Sequence, residues 1–306
     1  MRIVVHGQQA FGKSVLDALL ERGEDVIAVY CAPEQEGQRA DPLKEAAAAH
    51  NLPIYQPRSY RRQEVQDEFA ALNADLCVMA YVTKFVPEEV LNAPTHGTIQ
   101  YHPSLLPKHR GPSSINWPII QGDTKTGLTI FWPDNGLDTG PILLQKEVDI
   151  ADTDTLGSIY FNHLFPLGVE AMLEAVDMVR EGKAPKIVQD ESQATYESWC
   201  RKEDAELDWN KPIQEVWNLI RGSDPQPGAW STLDGEDIYI YDAKKHVGEP
   251  GGPPGEIVAV GDASFTVAAQ GGCIEVLRVR PEGGRKIKSD EFINNARLQA
   301  GVRLGA

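Results

Sequence analysis

Short apolar runs alternate with segments of helical spacing along the first part of the chain. Residues 2–6 form an apolar run that Gly7 closes, residues 11–22 carry apolar side chains at helical spacing, and residues 25–30 form a second apolar run. Such an alternation is typical of a parallel sheet covered on both faces, so we predict an α/β fold with a Rossmann-like, mostly parallel sheet. Further strands are predicted at residues 52–55, 75–81, 97–102, 128–132 and 142–150, and helices at 41–50, 61–72, 113–121 and 155–181.

The pattern changes after residue 183, where proline and glycine become frequent and the apolar runs become short. Short strands separated by Gly/Pro turns are typical of a small β-barrel or sandwich. We expect a first domain at residues 1–183, a linker at 184–203 and a small C-terminal β-barrel (OB-like) domain at 204–306. Within the last domain the predicted elements are a helix at 212–221 and strands at 237–241, 255–260, 264–268 and 273–279.

The composition limits the classes of partner. The 306 residues include 45 acidic and 29 basic side chains, which gives a formal net charge of −16 at pH 7. Because nucleic-acid affinity comes largely from Lys and Arg that neutralise phosphates, this charge counts against a nucleic-acid substrate. The four cysteines are far apart, which favours a reducing compartment and counts against a structural zinc site. Since neither a membrane span nor a signal peptide is visible, we expect a soluble, cytoplasmic protein without a metal.

The segment at residues 100–111 is the richest in side chains that could do chemistry. Residues two apart along a strand face the same way, so Gln100 and His102 share one face and Tyr101 points to the other. Pro103 ends this strand at its carboxyl end, where ligands bind in open parallel sheets. An imidazole can act as a general acid or base, and an amide N–H can stabilise an oxyanion. Gln100 and His102 are therefore candidate catalytic residues, although a strand-end histidine often makes only a structural hydrogen bond.

A second polar patch, residues 132–140, places Asp134 and Asp138 in a glycine-bearing loop that leaves a strand. One interpretation is that both aspartates only stabilise the turn. The other is that Asp138 contacts His102, fixes its tautomer and raises its basicity. The spacing in the sequence leaves both interpretations open.

The other candidates carry weaker signals. The turn at residues 7–12 is not GxGxxG, so we interpret it as a tight β-to-α turn rather than a dinucleotide site. His109 and Arg110 could bind an anion, but we interpret them as part of a solvated loop. Metal-ligand spacing is missing around His6, His96, His163 and His246.

Several short motifs resemble those of the folate-dependent formyltransferase family, and they occur in the order found there. In the first part of the chain these are residues 102–107 (HPSLLP), 110–111 (RG), 122–123 (GD), Gly127 and 136–140 (GLDTG). The resemblance continues at residues 209–212 (WNKP), 220–221 (IR), 227–230 (PGAW) and 297–301 (RLQAG). Within the family, the N-terminal hydrolase domain of 10-formyltetrahydrofolate dehydrogenases is the closest likeness, through residues 101–103, 115–117, 130–132, 143–146 and 184–185.

This resemblance implies an enzyme whose first domain binds N10-formyltetrahydrofolate as the formyl donor, with no metal. His102 would face the formyl carbon, an amine or water would attack that carbon, and the histidine with a neighbouring amide would hold the oxyanion. Asp138 would orient or charge His102 and help to move a proton to the folate nitrogen. The positions that would contact the donor are Lys84, Phe85, Val86, Ser104, Leu105, Leu106, Pro107, Asp134 and Asp138.

Two departures from the family pattern concern the acceptor. Gln100 stands where the transferases carry asparagine, which displaces its amide by ~1.5 Å. The loop at residues 31–40 is short and has one base, whereas methionyl-tRNA enzymes carry a longer basic loop there. We therefore expect a small-molecule amine or water as the acceptor rather than tRNA, in a monomer or homodimer. A methionyl-tRNA formyltransferase and a folate-binding protein without turnover are the alternatives.

Overall fold

The computed structural model describes residues 1–34, 37 and 39–305, which divide into two compact units. The first unit comprises residues 1–114, 126–148 and 161–197, and the second comprises 115–125, 149–160 and 198–306. The predicted linker at 184–203 thus contributes residues to both units, and the division into functional domains stays a prediction. The predicted short loop at 31–40 lies partly outside the described residues.

A seven-stranded sheet occupies the first part of the chain. Its strands are β1 (Arg2–Gly7), β2 (Asp25–Cys31), β3 (Ile54–Tyr55), β4 (Leu76–Ala80), β5 (Thr98–His102), β6 (Lys125–Phe131) and β7 (Ile142–Asp149). Their order across the sheet is β3-β2-β1-β4-β5-β6-β7. Strands β1 to β5 pair in parallel and β6 is antiparallel to β5, which confirms the predicted mostly parallel sheet.

The helices of this part follow the predicted spacing except at the short helix α4 (Glu88–Leu91), which was not predicted, and at residues 155–181. They are α1 (Gln9–Glu21), α2 (Pro42–Ala49), α3 (Gln63–Ala71), α4 (Glu88–Leu91), α5 (Asn116–Gln121), α6 (Leu156–Ile159) and α7 (Phe165–Arg180). The prediction of a single helix at 155–181 is wrong, because a π-helical turn at Tyr160–Leu164 separates α6 from α7. Pro166 has no backbone N–H to donate to the preceding turn, which accounts for the break.

The side chains of β5 divide between the two faces of the sheet as predicted. Tyr101 stacks on Phe11 of α1 at 4.3 Å between ring centroids, and its hydroxyl donates to the Leu164 carbonyl at 3.3 Å. Its face therefore belongs to the packing of α1 and α7. Gln100 and His102 lie on the opposite face, at the carboxyl end of the strand.

The second unit contains a six-stranded antiparallel sheet with the path β10-β11-β12-β9-β8, and β13 also pairs with β12. Its elements are α8 (Ile213–Gly222), β8 (Ala229–Leu233), β9 (Glu236–Val247), β10 (Ile257–Val260), β11 (Phe265–Ala269), β12 (Gly272–Pro281), β13 (Ile287–Lys288) and α9 (Ser289–Ala296). This confirms a separate C-terminal unit built on an antiparallel sheet. The sequence pattern did not predict β8, β13 or α9. The predicted strand at 237–241 is shorter than β9, because the second half of β9 is polar and exposed. None of the helices in the described residues is long and apolar enough to cross a membrane.

A histidine is buried in the core next to β4. His6 on β1 is 4% exposed, and its Nε2 lies 2.8 Å from the hydroxyl of Tyr60. Burial, assisted by the positive charge of Lys84, lowers the pKa of His6 to about 3. The ring is therefore neutral in the folded protein over the physiological range.

This buried ring predicts a loss of stability in mild acid. Below its ordinary pKa of about 6.5 the unfolded chain protonates His6, whereas the folded chain does not until about pH 3. The contribution to the free energy of unfolding should therefore fall by about 2 kcal/mol between pH 7.5 and pH 5. Urea unfolding at several pH values should show a shallower pH dependence for His6→Gln than for the wild type. The exposed His96→Gln should keep the wild-type slope, and equal slopes for all three proteins would contradict the prediction.

Candidate active site

His102 ends β5 and is held by the loop that follows it. The side chain is 5% exposed, and its Nε2 lies 2.9 Å from the backbone carbonyl of His109. A carbonyl oxygen can only accept a hydrogen bond, so Nε2 must carry the proton. The tautomer of His102 is therefore set by the His109 carbonyl, and Nδ1 is the ring nitrogen left for chemistry.

Asp138 faces that nitrogen from the loop between β6 and β7. Its Oδ2 lies 3.6 Å from Nδ1 of His102 and accepts the backbone N–H of Gly111 at 2.9 Å. At 3.6 Å the contact with the ring is an ion-pair approach rather than a hydrogen bond. Nδ1 of His102 therefore faces the carboxylate of Asp138 directly.

The conformation of both loops depends on special backbone positions. Asp138 has φ +56°, a left-handed conformation that aspartate tolerates better than most residues. A Cβ atom on Gly140 would lie 1.8 Å from the Trp132 carbonyl, and one on Gly111 would lie 2.2 Å from the Glu197 carbonyl. Glycine is therefore required at both positions, because any side chain there would clash with a neighbouring backbone carbonyl.

The two aspartates of this loop do different things. Asp134 Oδ1 accepts from the Gly136 N–H at 3.0 Å and from the Thr139 hydroxyl at 2.6 Å, which is the turn-stabilising role. Asp138 Oδ1 makes no hydrogen bond to any residue within the described ranges. This oxygen is the one available to take a proton.

Gln100 lies two residues before His102 on β5, so both side chains are on the same face of the sheet. Its side chain is half-buried and makes no hydrogen bond to a residue that the structure describes. Burial of an amide is unfavourable without a partner. The amide is therefore available to a ligand next to His102.

Gln189 was not predicted from any sequence pattern. It is 5% exposed, its Oε1 accepts from Nε and Nη2 of Arg110 at 3.1 and 2.7 Å, and its Nε2 donates to the carbonyls of Asp138 and Gly140 at 2.9 and 2.7 Å. One amide thus joins the loop after His102 to the loop of Asp138. No local pattern reveals it, because all four bonds are to residues at least 49 positions away.

The interpretation of His109 and Arg110 as a solvated loop is wrong. Arg110 is 0% exposed and His109 is 6% exposed. Besides Gln189, the Arg110 guanidinium donates to the Glu191 carboxylate at 2.7 and 3.0 Å and to the Tyr196 hydroxyl. Several charge-assisted hydrogen bonds offset the cost of burying the guanidinium, so this arginine anchors residues 189–196 to the site.

The residues at 104–107, expected to contact a donor, are mostly committed to the protein. Ser104 is fully buried and donates to the Lys108 carbonyl at 2.6 Å, while Leu106 is 2% exposed and its N–H donates to Thr129 at 3.1 Å. Leu105 and Pro107 are half-buried. Contacts of residues 104–107 with the formyl donor stay a prediction. Because the groups named above already bond within the protein, such contacts would come mainly from the remaining backbone groups.

Lys84, Phe85 and Val86 follow β4 and lie in different environments. Val86 is 6% exposed, Phe85 is 50% exposed, and Lys84 lines a cavity of about 990 Å³. We call it the β1–β4 cavity; its lining residues are Gln8, Gln9, Ala32, Pro33, Glu34, Arg39, Ala40, Asp41, Pro42, Arg58, Thr83 and Lys84. Neither His102 nor Asp138 is among these residues.

No group of three or more His, Cys, Asp or Glu side chains within the described ranges could hold a metal ion. None of the four cysteines forms a disulfide bond. Burial raises the pKa of the Cys77 thiol to about 12 and that of Cys31 to about 11, so both stay protonated at neutral pH.

Two family models and several curated proteins match this chain. The model of the family described as formyl transferase matches residues 1–176, and that of the formyl transferase C-terminal domain matches residues 200–297. The cytosolic 10-formyltetrahydrofolate dehydrogenase of Xenopus laevis is 37% identical over 97% of this chain, but this chain spans only 34% of that protein. The methionyl-tRNA formyltransferase of Geobacter metallireducens is 36% identical over 100% of this chain and 99% of its own length.

Solved structures share the fold at lower identity. HypX from Aquifex aeolicus in complex with tetrahydrofolic acid superposes with a TM-score of 0.70 and 20% identity, over 96% of this chain and 47% of HypX. WlaRD, a sugar 3N-formyl transferase, gives a TM-score of 0.68 and 18% identity over 90% of this chain and 97% of its own. The two family matches and the full-length relative show that the chain belongs to the formyl transferase family, whose members are enzymes of one-carbon formyl transfer.

Proposed function

We propose that this chain takes the formyl group of N10-formyltetrahydrofolate and passes it to a small amine or to water. The observation that carries the proposal is the pair formed by His102 Nδ1 and Asp138 Oδ2, 3.6 Å apart at the carboxyl end of β5. The two groups are 36 positions apart in the chain and meet only because both loops fold over the same strand end. Folate as the donor is supported by the family and by the names of the relatives.

His102 and Asp138 have different hydrogen-bond partners, and we assign a different proton transfer to each of them. Protonated His102 donates from Nδ1 to the formyl oxygen, which becomes the oxyanion when the nucleophile adds to the carbon. Asp138 Oδ1 takes the proton that the attacking water or amine loses. When the bond from carbon to N10 breaks, this proton passes to N10. Tetrahydrofolate leaves with formate or a formylated amine, and both side chains return to their starting charge.

Gln100 supplies the neighbouring amide in this scheme. Its N–H groups have no partner among the described residues, and its position two residues before His102 directs them toward the same ligand atom. The family's asparagine is one methylene shorter at this position. Gln100 must therefore fold back to reach the oxyanion, which its half-buried, unbonded side chain permits.

Replacing Gln100 by leucine should lower turnover by roughly 10²-fold, because one oxyanion donor is lost while the volume is nearly conserved. The measurement is kcat and KM for tetrahydrofolate release. Gln299→Leu, at an exposed glutamine, should behave as the wild type. Turnover unchanged in Gln100→Leu would show that this amide takes no part in the reaction.

The identity of the formyl acceptor is a separate question from that of the donor. A small amine or water is supported by the net charge of −16 and by the single base in residues 31–40. Methionyl-tRNA formyltransferase is a second candidate, supported by the relative that matches this chain from end to end at 36% identity. Cytoplasmic location stays a prediction.

The decisive experiment is incubation of the protein with N10-formyltetrahydrofolate, with and without candidate amines, while tetrahydrofolate release is followed. Release in either condition supports the proposal, and no release in any condition contradicts it. Folate binding without release would favour the folate-binding alternative. A filter-binding assay with methionyl-tRNA at several salt concentrations tests the second candidate, methionyl-tRNA formyltransferase. Tight, salt-dependent binding would favour tRNA as the acceptor.

A further inference from the structure

The peptide group between His109 and Arg110 connects His102 to the chain around Thr195. Its carbonyl accepts the Nε2 proton of His102 at 2.9 Å, and its N–H donates to the Thr195 carbonyl at 3.0 Å. The carbonyl and the N–H of one peptide group point in opposite directions, because the group is planar and trans. The orientation of this peptide group therefore decides whether Nε2 of His102 has an acceptor.

His109 holds this peptide group in an unusual backbone conformation. Its φ is +56°, in the left-handed region that is unfavourable for a residue with a Cβ atom. Its own N–H is fixed, because it donates to the Thr195 hydroxyl oxygen at 2.8 Å. With that N–H fixed, a change of φ rotates the carbonyl. A return of His109 to an ordinary φ would therefore turn its carbonyl away from His102.

The Glu197 carboxylate contacts the His109 ring. Its Oε1 lies 3.2 Å from Nδ1 of His109, and the side chains of Glu197 and His109 are 13% and 7% exposed. A carboxylate buried to this extent is unfavourable unless a polar group faces it. The N–H of Glu197 also donates to the Arg110 carbonyl at 3.1 Å. Glu197 thus contacts both of the residues that share the peptide group bonded to His102.

We propose that Glu197 is a positioning residue, which acts through the His109 ring to keep the His109 carbonyl on Nε2 of His102. The inference rests on the proposed formyl transfer, in which His102 takes part, and deepens it by naming a residue on which the state of that histidine depends. With the carbonyl in place, the neutral His102 ring carries its proton on Nε2. Without it, the Asp138 carboxylate, 3.6 Å from Nδ1, attracts the proton to Nδ1 instead.

The tautomer of His102 is measured directly by ¹⁵N NMR. The protein is labelled with ¹⁵N-histidine, the His102 signals are assigned with His102→Gln, and spectra are recorded at alkaline pH. The wild type should show the Nε2–H tautomer. Glu197→Leu, which has a similar volume and no acceptor, should show a substantial population of the Nδ1–H tautomer. Glu197→Gln keeps an acceptor oxygen and should retain Nε2–H.

The kinetics of the same variants separate positioning from stability. Glu197→Leu should lower kcat for tetrahydrofolate release by about tenfold, the effect of one lost hydrogen bond, with KM unchanged. Glu197→Gln should be close to the wild type. Glu203→Leu, the same change at an exposed glutamate, is the matched control and should behave as the wild type. A merely structural role predicts a lower melting temperature with an unchanged tautomer and kcat.

A double variant tests whether Glu197 acts through the His109 ring. In His109→Gly, residue 109 has no ring and adopts a φ of +56° without strain. Adding Glu197→Leu to His109→Gly should therefore change neither the tautomer nor kcat any further. If Glu197→Leu does not fold, Glu197→Asp takes its place. The shorter side chain withdraws the carboxylate from Nδ1 of His109 by ~1.5 Å and should shift the tautomer in the same direction.

Three results would overturn the proposal. The first is an Nδ1–H tautomer in the wild type. The second is the Nε2–H tautomer in Glu197→Leu, or in Glu197→Asp where the leucine variant does not fold. The third is a full tenfold loss of kcat when Glu197→Leu is added to His109→Gly, since Glu197 would then act without the ring. Absence of tetrahydrofolate release in the wild type would contradict the proposed function instead, and the NMR measurement does not depend on turnover.

Discussion

Replacing Asp138 by asparagine should lower kcat for tetrahydrofolate release by about 10³-fold, with little change in KM. Asparagine has the size of aspartate and can still accept the Gly111 N–H through its amide oxygen. It cannot take a proton from the nucleophile, and it no longer stabilises a second proton on Nδ1 of His102. The variant therefore removes the two electrostatic functions of the carboxylate while it preserves the loop.

The control for this prediction is Asp123→Asn, which makes the same change at an aspartate without a role in the proposed proton transfers and should keep wild-type kcat. His102→Ala should cause a loss similar to that of Asp138→Asn. Because the two residues act as one unit, the double variant should be little slower than either single variant. Losses that multiply in the double variant would show that the two side chains act independently, which contradicts the proton scheme.

The parallel sheet could be predicted because its information is local. Residues 2–6 and 25–30 are nearly all apolar, and α1 between them places Phe11, Val15 and Leu19 on one buried face. Patterns of this kind need no knowledge of distant contacts. The elements that were not predicted lack such an apolar pattern. Strand β8 (AWSTL) has a polar centre, and only two residues of α9 are buried.

The candidate site could be predicted only in part. The alternation along β5 placed Gln100 and His102 on one face, but the choice of Asp138 over Asp134 came from a resemblance and not from the spacing. The structure separates the two aspartates by their bonds, since Asp134 serves the turn and Asp138 faces Nδ1. The carbonyl that fixes the His102 tautomer belongs to His109, which no pattern of residue types could indicate, because any residue has a carbonyl.

Gln189 shows most clearly what the sequence cannot reveal, and its replacement carries the second large prediction. Gln189→Leu removes two acceptor bonds from the buried Arg110 and two donor bonds to the Asp138 loop. The free energy of unfolding should fall by about 3 kcal/mol, because a buried guanidinium loses one of its partners and two buried carbonyls lose their donor. The Asp138 loop should also shift, and a displacement of ~1 Å lowers kcat by about 10²-fold.

Gln189→Glu separates positioning from stability. The carboxylate can still accept from Arg110, but it cannot donate to the carbonyls of Asp138 and Gly140 unless it is protonated. We expect a melting temperature closer to wild type than that of Gln189→Leu, a lower kcat and an unchanged KM. As the pH is lowered and the glutamate takes up a proton, the ratio of variant to wild-type kcat should rise.

The exposed Gln193, four residues away, provides the matched control, and Gln193→Glu should be wild type in every measurement. A purely structural role for Gln189 predicts a different result, in which kcat per folded molecule equals that of the wild type at every pH and only the melting temperature changes. That result would show that the position of Asp138 is maintained without Gln189. The pH-dependent ratio is the sharper measurement, because only a lost donor hydrogen bond can be restored by a proton on residue 189.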